Sequence, residues 1–453
     1  MATVQIPPEL VARYDTPGPR YTSYPTVPAW KRPFGPADYR AALADLAGAE
    51  SEALSIYVHI PFCGYRCHYC ACTMALAHGP DVADAYLDRL EREIDLVTDI
   101  LGRRRRPLQL HLGGGTPNFL TPAQLGRLAA MLEGRFAFGP EVARSLEADP
   151  RLVTREQLAR VRELGFRRIS FGVQDFDPEV QDAIGRPQPE AVVREAVELA
   201  RESGFEGVNI DLVYGLPKQT MTRFEHTLEA ALALEPDRVA CYNYAHVPQA
   251  RPNQRLIDAS ALPSRDHKFR LFQMAVEAFT AGGYEWIGLD HFARQEDDLA
   301  HAARQGTLRR DFMGYTTRTT PHLLGFGMSA IGDVAGRFIQ NVPRTGRYQR
   351  ELDRGALPVE RGHRLSDDDK ARRAAILRLM CNLDLPYRML PPPADQSAAR
   401  LRPLIEDGLI GEATRGYEVT SLGRWFLRNI AMALDAYLPQ QAAEARPVFS
   451  RTV

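Results

Sequence analysis

Cys63-Gly64-Tyr65-Arg66-Cys67-His68-Tyr69-Cys70-Ala71-Cys72 packs four of the chain's six cysteines into ten residues, spaced CxxxCxxC and then CxC. Three thiolates at those offsets can converge from one loop on three corners of an iron-sulfur cube, whereas full protein ligation of a four-iron cluster takes four cysteines. One iron is then left open for a substrate or cosubstrate. A structural zinc site usually draws its ligands from two separated pairs, and here Cys241 and Cys381 stand alone with no second pair to offer. A disulfide knot suits the chain less still: its start shows no signal-peptide pattern, and 453 residues do not need staples. The thiols are expected to stay reduced, in the cytoplasm.

Around this loop, short β-rich runs alternate with amphipathic helical runs, the pattern of parallel βα units. Strands are predicted over 55–60, 108–112, 145–148, 168–172, 207–213 and 238–242, and helices over 83–101, 122–132, 154–164, 189–202 and 222–234. Six units are too few to close an eight-fold barrel. The expected α/β fold is a partial (β/α)6 TIM-like barrel over residues 51–355, with an N-terminal extension, 1–50, closing over the active site. A small, mostly helical domain over 360–453 completes it, opened by a helix that Ser366 and Asp369 cap and carrying a hairpin around Gly416. A helix over 266–282 and strand or loop pieces at 287–292 and 325–331 are expected near the barrel mouth. In such folds the reactive groups collect at the C-terminal ends of strands. The cysteine loop follows the first strand, Gly113-Gly114-Gly115-Thr116-Pro117 the second, Glu147 the third and Gln174 the fourth, while Asp211 lies within the fifth.

Composition narrows the function. Lys and Arg number 56 against 57 Asp and Glu, a net charge of −1, which argues against a nucleic-acid or anionic-membrane binder. No run of eighteen or more apolar residues is present. The basic run Arg103 to Arg106 reads as a solvated cap on the helix whose apolar face is Leu87, Leu90, Ile94, Val97 and Leu101, with Gly102 as its stop.

An open iron on a reduced cluster can chelate the amino and carboxylate groups of S-adenosylmethionine, and one electron into the sulfonium then gives a carbon radical. CxxxCxxC after a first strand is the mark of the radical S-adenosylmethionine enzymes, which this chain resembles from about residue 54 to 331. Each accessory residue also admits a bland reading: the glycines as a tight turn, the carboxylates as solvated groups, Tyr57 and Tyr69 as core aromatics, His59 and His111 as satisfied strand histidines.

Further blocks sharpen the resemblance. Gly18-Pro19-Arg20-Tyr21-Thr22-Ser23-Tyr24-Pro25-Thr26, the run from Tyr57 to Cys72, His111 to Pro117 and Asn209-Ile210-Asp211-Leu212-Val213-Tyr214-Gly215-Leu216-Pro217 look together like the oxygen-independent coproporphyrinogen III oxidases. Related heme chaperones, the alternative reading, share the cluster loop but typically lack the CxC extension and the 19–25 block. The resemblance implies a 4Fe-4S cluster on Cys63, Cys67 and Cys70, and two molecules of S-adenosylmethionine. Their contacts would be Tyr57, Tyr69, Gly114, Gly115, Thr116, Glu147, Gln174, Arg186, Asp211, Ala245 and Ile331. Cys72 would face the active site with a catalytic role. The implied reaction is oxidative decarboxylation of two propionates of coproporphyrinogen III to vinyl groups, in heme or chlorophyll synthesis. The implied enzyme is a monomer using a separate electron donor and acceptor, with no nucleic acid and no membrane span. Arg20, with Tyr21 and Tyr24, is expected to close over the anionic substrate.

Overall fold

The computed structural model describes residues 5–30, 33–49, 53–318, 320–438 and 449–452. Contacts divide them into two compact units, each gathered from separated stretches: Lys31–Asp211 with Arg318–Arg364, and Met1–Trp30 with Leu212–Thr317 and Leu365–Val453. The first carries the cysteine loop and is called the loop unit; the second carries both chain ends and is called the terminal unit.

In the loop unit, β1 (Leu54–Ile60) is buried at every position but Tyr57. Leu54, Ile56, Val58 and Ile60, at alternate positions, line one fully buried face, and Ser55, Tyr57 and His59 stand on the other. β2 (Pro107–Gly114), β3 (Ala143–Ala148) and β4 (Arg168–Gln174) follow outward in sequence order, all parallel. β5 (Gly207–Tyr214) begins in this unit, and its last three residues count with the terminal unit. The connections are the predicted helices: α1 (Asp81–Leu101), α2 (Pro122–Arg135), α3 (Arg155–Glu163) and α4 (Glu190–Glu202). α1 ends at Gly102, whose φ of +69° is the left-handed stop expected of it.

In the terminal unit α5 (Met221–Ala233) leads to β6 (Arg238–Asn243), α6 (Arg265–Ala281) to β7 (Tyr284–Gly288), and β8 (His291–Arg294) pairs antiparallel with both β6 and β7. The chain then re-enters the loop unit as β9 (His322–Phe326), parallel to the free edge of β1. β10 (Ile331–Val334), β11 (Arg337–Asn341) and β12 (Val359–Arg364) extend that edge antiparallel. The alternating strands and helices of the expected partial barrel are thus present, and this four-strand extension is additional to it.

The rest of the terminal unit contains α7 (Asp367–Asn382), capped by Ser366 and Asp369 as predicted, α8 (Ala394–Glu406), and a three-stranded sheet of Asp384–Pro386, Gly416–Val419 and Ile410–Ala413. A short helix, Leu427–Met432, ends the described part of that segment. Its core includes Leu379, Met380, Leu401, Phe426 and Ile430 together with Tyr21 and Tyr24. Each of those two tyrosines is 1% exposed; the Tyr21 hydroxyl donates to Asp435 at 2.9 Å and the Tyr24 hydroxyl accepts from Ala436 N at 3.1 Å. They are core residues, not a lid, because burying two large rings is worth more than leaving them in water.

The arginine run also departs from its reading. Arg105 is 5% exposed, and its guanidinium donates to the carbonyls of Leu46, Ala47 and Ala49, closing the C-terminus of the helix Pro36–Gly48. Arg104 serves the carbonyls of Glu133 and Phe136 at the end of α2 in the same way. These cations cap neighbouring helices, whose orphan carbonyls need donors and whose dipoles favour positive charge.

Glu93 on α1 is fully buried, and it accepts from Tyr348 Oη at 2.6 Å, Gly327 N at 2.8 Å and Asn341 Nδ2 at 2.5 Å, tying α1 to the β9–β10 turn. Burial pushes its carboxyl up to about 7, against those three donors. Glu93→Ala is expected to cost about 2–4 kcal/mol in urea unfolding, since three donors lose their acceptor and a cavity is left. Glu93 should also add pH dependence. Below about pH 4.5 both states hold its proton, and between 4.5 and 7 the unfolded chain releases it first, so stability falls as pH rises. Glu93→Gln should flatten that limb.

Candidate active site

Parallel register puts the reactive side chains in rows. Tyr57 of β1 pairs with His111 of β2, and His111 with Ser145 of β3. The Tyr57 and His111 rings accordingly stack, 6.0 Å between centroids and 22° apart, and His111 Nδ1 lies 2.8 Å from Ser145 Oγ. His111 Nε2 faces Glu147 Oε1 at 3.5 Å, and Glu147 Oε2 accepts from Gly114 N at 3.1 Å. Burial alone would raise the Glu147 carboxyl, yet His111 and the Gly114 amide outweigh it and hold the group below the usual range. Its side chain keeps 46% of its surface open, so an ionised acceptor is presented at the strand end.

His59 is a second partner of Tyr57. Its Nε2 lies 2.8 Å from the Thr73 carbonyl, which can only accept, so that nitrogen carries the proton and Nδ1 accepts from Tyr57 Oη at 3.0 Å. The imidazole therefore joins the first strand to the far end of the cysteine loop. The sequence reads both histidines as satisfied strand residues, although both lie within the blocks Tyr57 to Cys72 and His111 to Pro117 that carry the resemblance.

The glycines are explained mainly by close packing. A Cβ on Gly115 would come within 2.5 Å of the Pro61 carbonyl oxygen, and one on Gly114, at φ +121°, within 2.8 Å of that of Ile60. The strand end can therefore press against the start of the cysteine loop, and Thr116 Oγ1 arrives 3.3 Å from Cys63 Sγ.

Each of the first three loop sulfurs has a polar neighbour. Besides Thr116 on Cys63, Arg186 Nη1 donates to Cys67 Sγ at 3.5 Å and the Cys72 backbone amide to Cys70 Sγ at 3.4 Å. Hydrogen bonding from Cys72 brings the Cys70 thiol down to about 6, whereas burial pushes Cys63 up to about 11 and raises Cys67. The Cys72 side chain is exposed and its thiol is pushed up by the Cys70 bond. Among the described residues no three His, Cys, Asp or Glu side chains close on one point as the ligands of a single ion would. An all-sulfur donor set on one loop fits an iron-sulfur cluster, which spreads its thiolates over separate irons.

Arg186 is held for this task. Its Nη2 donates to the Gly172 carbonyl at 2.6 Å and its Nη1 lies 3.4 Å from Asp149, which also accepts from Tyr65 Oη at 3.0 Å and pairs with Arg151. Gln174 ends β4 at φ +74°, a left-handed residue at the tip of a strand where a site residue is expected. Asp211 in β5 accepts from Ser170 Oγ at 3.2 Å and Asn209 Nδ2 at 2.9 Å, and burial, then the Glu147 charge, pushes its carboxyl up to about 7.

The loop unit thus contains Tyr57, Tyr69, Gly114, Gly115, Thr116, Glu147, Gln174, Arg186, Asp211 and Ile331 along with Cys63, Cys67, Cys70 and Cys72. Tyr69, within the loop, interacts with Arg186 and Cys67, and Ile331 opens β10. Ala245 belongs to the terminal unit, just beyond β6, where its carbonyl accepts from Gln254 at 3.0 Å.

Comparison with known proteins gives concordant results. Residues 57–231 match the model of the Radical SAM superfamily. The chain is 41% identical to the oxygen-independent coproporphyrinogen III oxidase of Pseudomonas aeruginosa, covering 100% of this chain and 99% of that one. It is 40% identical to the protein of the same name from Escherichia coli K12, covering 98% of each. Among solved structures it is similar to a coproporphyrinogen III oxidase of Escherichia coli described as a radical SAM enzyme, with a TM-score of 0.89 and 39% identity over 96% of this chain and 99% of that one.

Proposed function

The chain belongs to the oxygen-independent coproporphyrinogen III oxidases of the radical SAM superfamily, and from that premise we propose that it decarboxylates two propionates of coproporphyrinogen III to vinyl groups, giving protoporphyrinogen IX without dioxygen. The observation that carries the reading is the cysteine loop: three sulfurs at the end of β1, each with its own polar neighbour, and a fourth thiol left exposed. Cys63, Cys67 and Cys70 would hold the four-iron cluster. Bound there with S-adenosylmethionine, the cluster supplies a carbon radical able to take hydrogen from a propionate.

The protein's own part is to hold and orient. Thr116, Arg186 and the Cys72 amide stabilise negative charge on the three sulfurs. Glu147, kept ionised by Gly114 and His111, is suited to accept from ribose hydroxyls, and Tyr57, fixed by His59, offers an aromatic face beside it. Gln174, Gly114, Gly115, Tyr69, Ala245 and Ile331 complete the contacts proposed for the nucleotide. Cys72 acts in turnover rather than in cluster binding. Electrons enter from a separate donor, and the one left when carbon dioxide departs goes to a separate acceptor. No helix among the described residues is long and apolar enough to cross a membrane, and the reading takes the protein as a cytoplasmic monomer.

Reconstituted, reduced protein incubated anaerobically with S-adenosylmethionine and coproporphyrinogen III should lose two molecules of carbon dioxide per tetrapyrrole, followed by mass spectrometry. Capture of heme without that mass loss would turn the reading to a heme chaperone. Asp211 adds a pH test. With its carboxyl near 7, binding of S-adenosylmethionine should tighten several-fold from pH 6 to pH 8 as the group ionises. Calorimetry on Asp211→Asn should show weaker binding with that pH step gone.

A further inference from the structure

Burying a guanidinium is costly unless a carboxylate or a set of carbonyls meets it. Among the described residues of the terminal unit, three arginines are buried. Arg428 donates to the carbonyls of Pro19 and Arg451, at 3.1 and 3.0 Å, and to that of Gly18. Arg372 meets Asp368 at 2.8 Å and the carbonyls of Leu434 and Pro392 at 2.9 and 3.0 Å. Arg310 is different. It is 6% exposed, and its Nε and Nη1 are buried without any hydrogen-bond partner. Its guanidinium carbon lies 4.5 Å from the centroid of the Tyr315 ring, a contact that supplies no hydrogen-bond acceptor in the plane of the N–H groups.

Among the described residues, no carboxylate is paired with Arg310. The nearby cation Arg20 is paired with Asp290, and that carboxylate also lies 2.8 Å from His291 Nδ1. Asp311, the next residue, accepts the Met313 amide at 2.7 Å in a tight turn. Cys381, also close by, has its thiol pushed up to about 12 by burial, so it brings no thiolate. The Asp290 carboxylate is thus engaged by Arg20 and His291, and Arg310 is left beside a second cation.

We infer that Arg310 is a carboxylate-binding residue for the tetrapyrrole, its unserved N–H donors meeting one propionate of coproporphyrinogen III. This rests on the activity proposed above and goes further, because it names the group that recognises the substrate's charge. A planar guanidinium holds its N–H donors in fixed directions around a delocalised charge, which a lysine cannot reproduce. Arg20, held by Asp290, adds a second positive charge to the same neighbourhood.

The test compares holoenzyme with and without Arg310→Gln, using coproporphyrin III as a stable binding probe and its tetramethyl ester as the uncharged control. Wild-type protein should prefer the free acid. The variant should bind the acid at least tenfold more weakly while ester binding stays the same, and Arg310→Lys should recover part of the difference. In turnover, KM for coproporphyrinogen III should rise with kcat within a few-fold, while cluster content and cleavage of S-adenosylmethionine without substrate stay at the wild-type level. If the variant keeps the wild-type acid-over-ester preference, or loses acid and ester binding equally, Arg310 is a packing residue and the inference is wrong. If wild-type holoenzyme binds neither porphyrin, the proposed substrate falls, and this inference with it.

Discussion

Protein carrying Cys63→Ala should leave an anaerobic purification colourless, with iron and sulfide at background and no product formed, while its far-UV circular dichroism matches the wild type. Cys63 stands just past the end of β1, beside Thr116 from the end of β2, and only Cys67 and Cys70 remain to hold a cluster if it is removed. The soft thiolate is the ligand iron-sulfur centres require, and a methyl group offers nothing in its place. The fold should survive because the loop hangs from strands that close without it: β1 is buried at six of its seven positions, and Glu93, Tyr86 and Tyr348 fasten α1 behind it. A brown, iron-loaded Cys63→Ala protein would show that this cysteine is not a ligand.

The second large effect separates colour from activity. Cys72→Ser should retain the chromophore and the iron content of the wild type but form no detectable protoporphyrinogen IX in the mass-detected assay. Cys72 gives the sulfur of Cys70 a backbone amide, which replacing a side chain leaves in place, and a side-chain hydrogen bond, which a serine hydroxyl can still donate. The exposed thiol is the part that disappears. Serine is nearly the same size but far less acidic and less readily oxidised, so a role in turnover is lost while the loop geometry is kept. Loss of colour in this variant would make Cys72 a fourth ligand and leave no open iron.

How far the sequence alone carried can be judged from particular residues. The six strands of the alternating pattern were legible to within about two residues, because each carries a buried apolar row at alternate positions, as Leu54, Ile56, Val58 and Ile60 do in β1. The extension β9–β12 was read only in fragments: Gly325, Gly327 and Gly332 interrupt its apolar pattern, and its strands are short. His59 and His111 were passed over because their importance depends on register. Only pairing Tyr57 with His111, and His111 with Ser145, shows that one row of side chains runs from the first strand to Glu147. Arg310 had no motif to mark it; its isolation is a property of its neighbours. Tyr21 and Tyr24 misled for the converse reason, since tyrosines in a motif can equally be core, and their partners Asp435 and Ala436 lie more than four hundred residues away.

That last separation has a consequence for how the protein is made. Tyr21 and Asp435 are 414 positions apart, and Gly18 meets the Arg428 side chain across 410. At about 5–20 residues per second, the ribosome needs on the order of tens of seconds after emitting the first segment before it delivers the second. The opening thirty residues, with Leu10, Val11 and two large rings, spend that interval without their final partners, presenting apolar surface to whatever is at hand. Premature termination anywhere before the helix Leu427–Met432 would leave them permanently stranded, so stalled or truncated products should be favoured clients of chaperones and proteases.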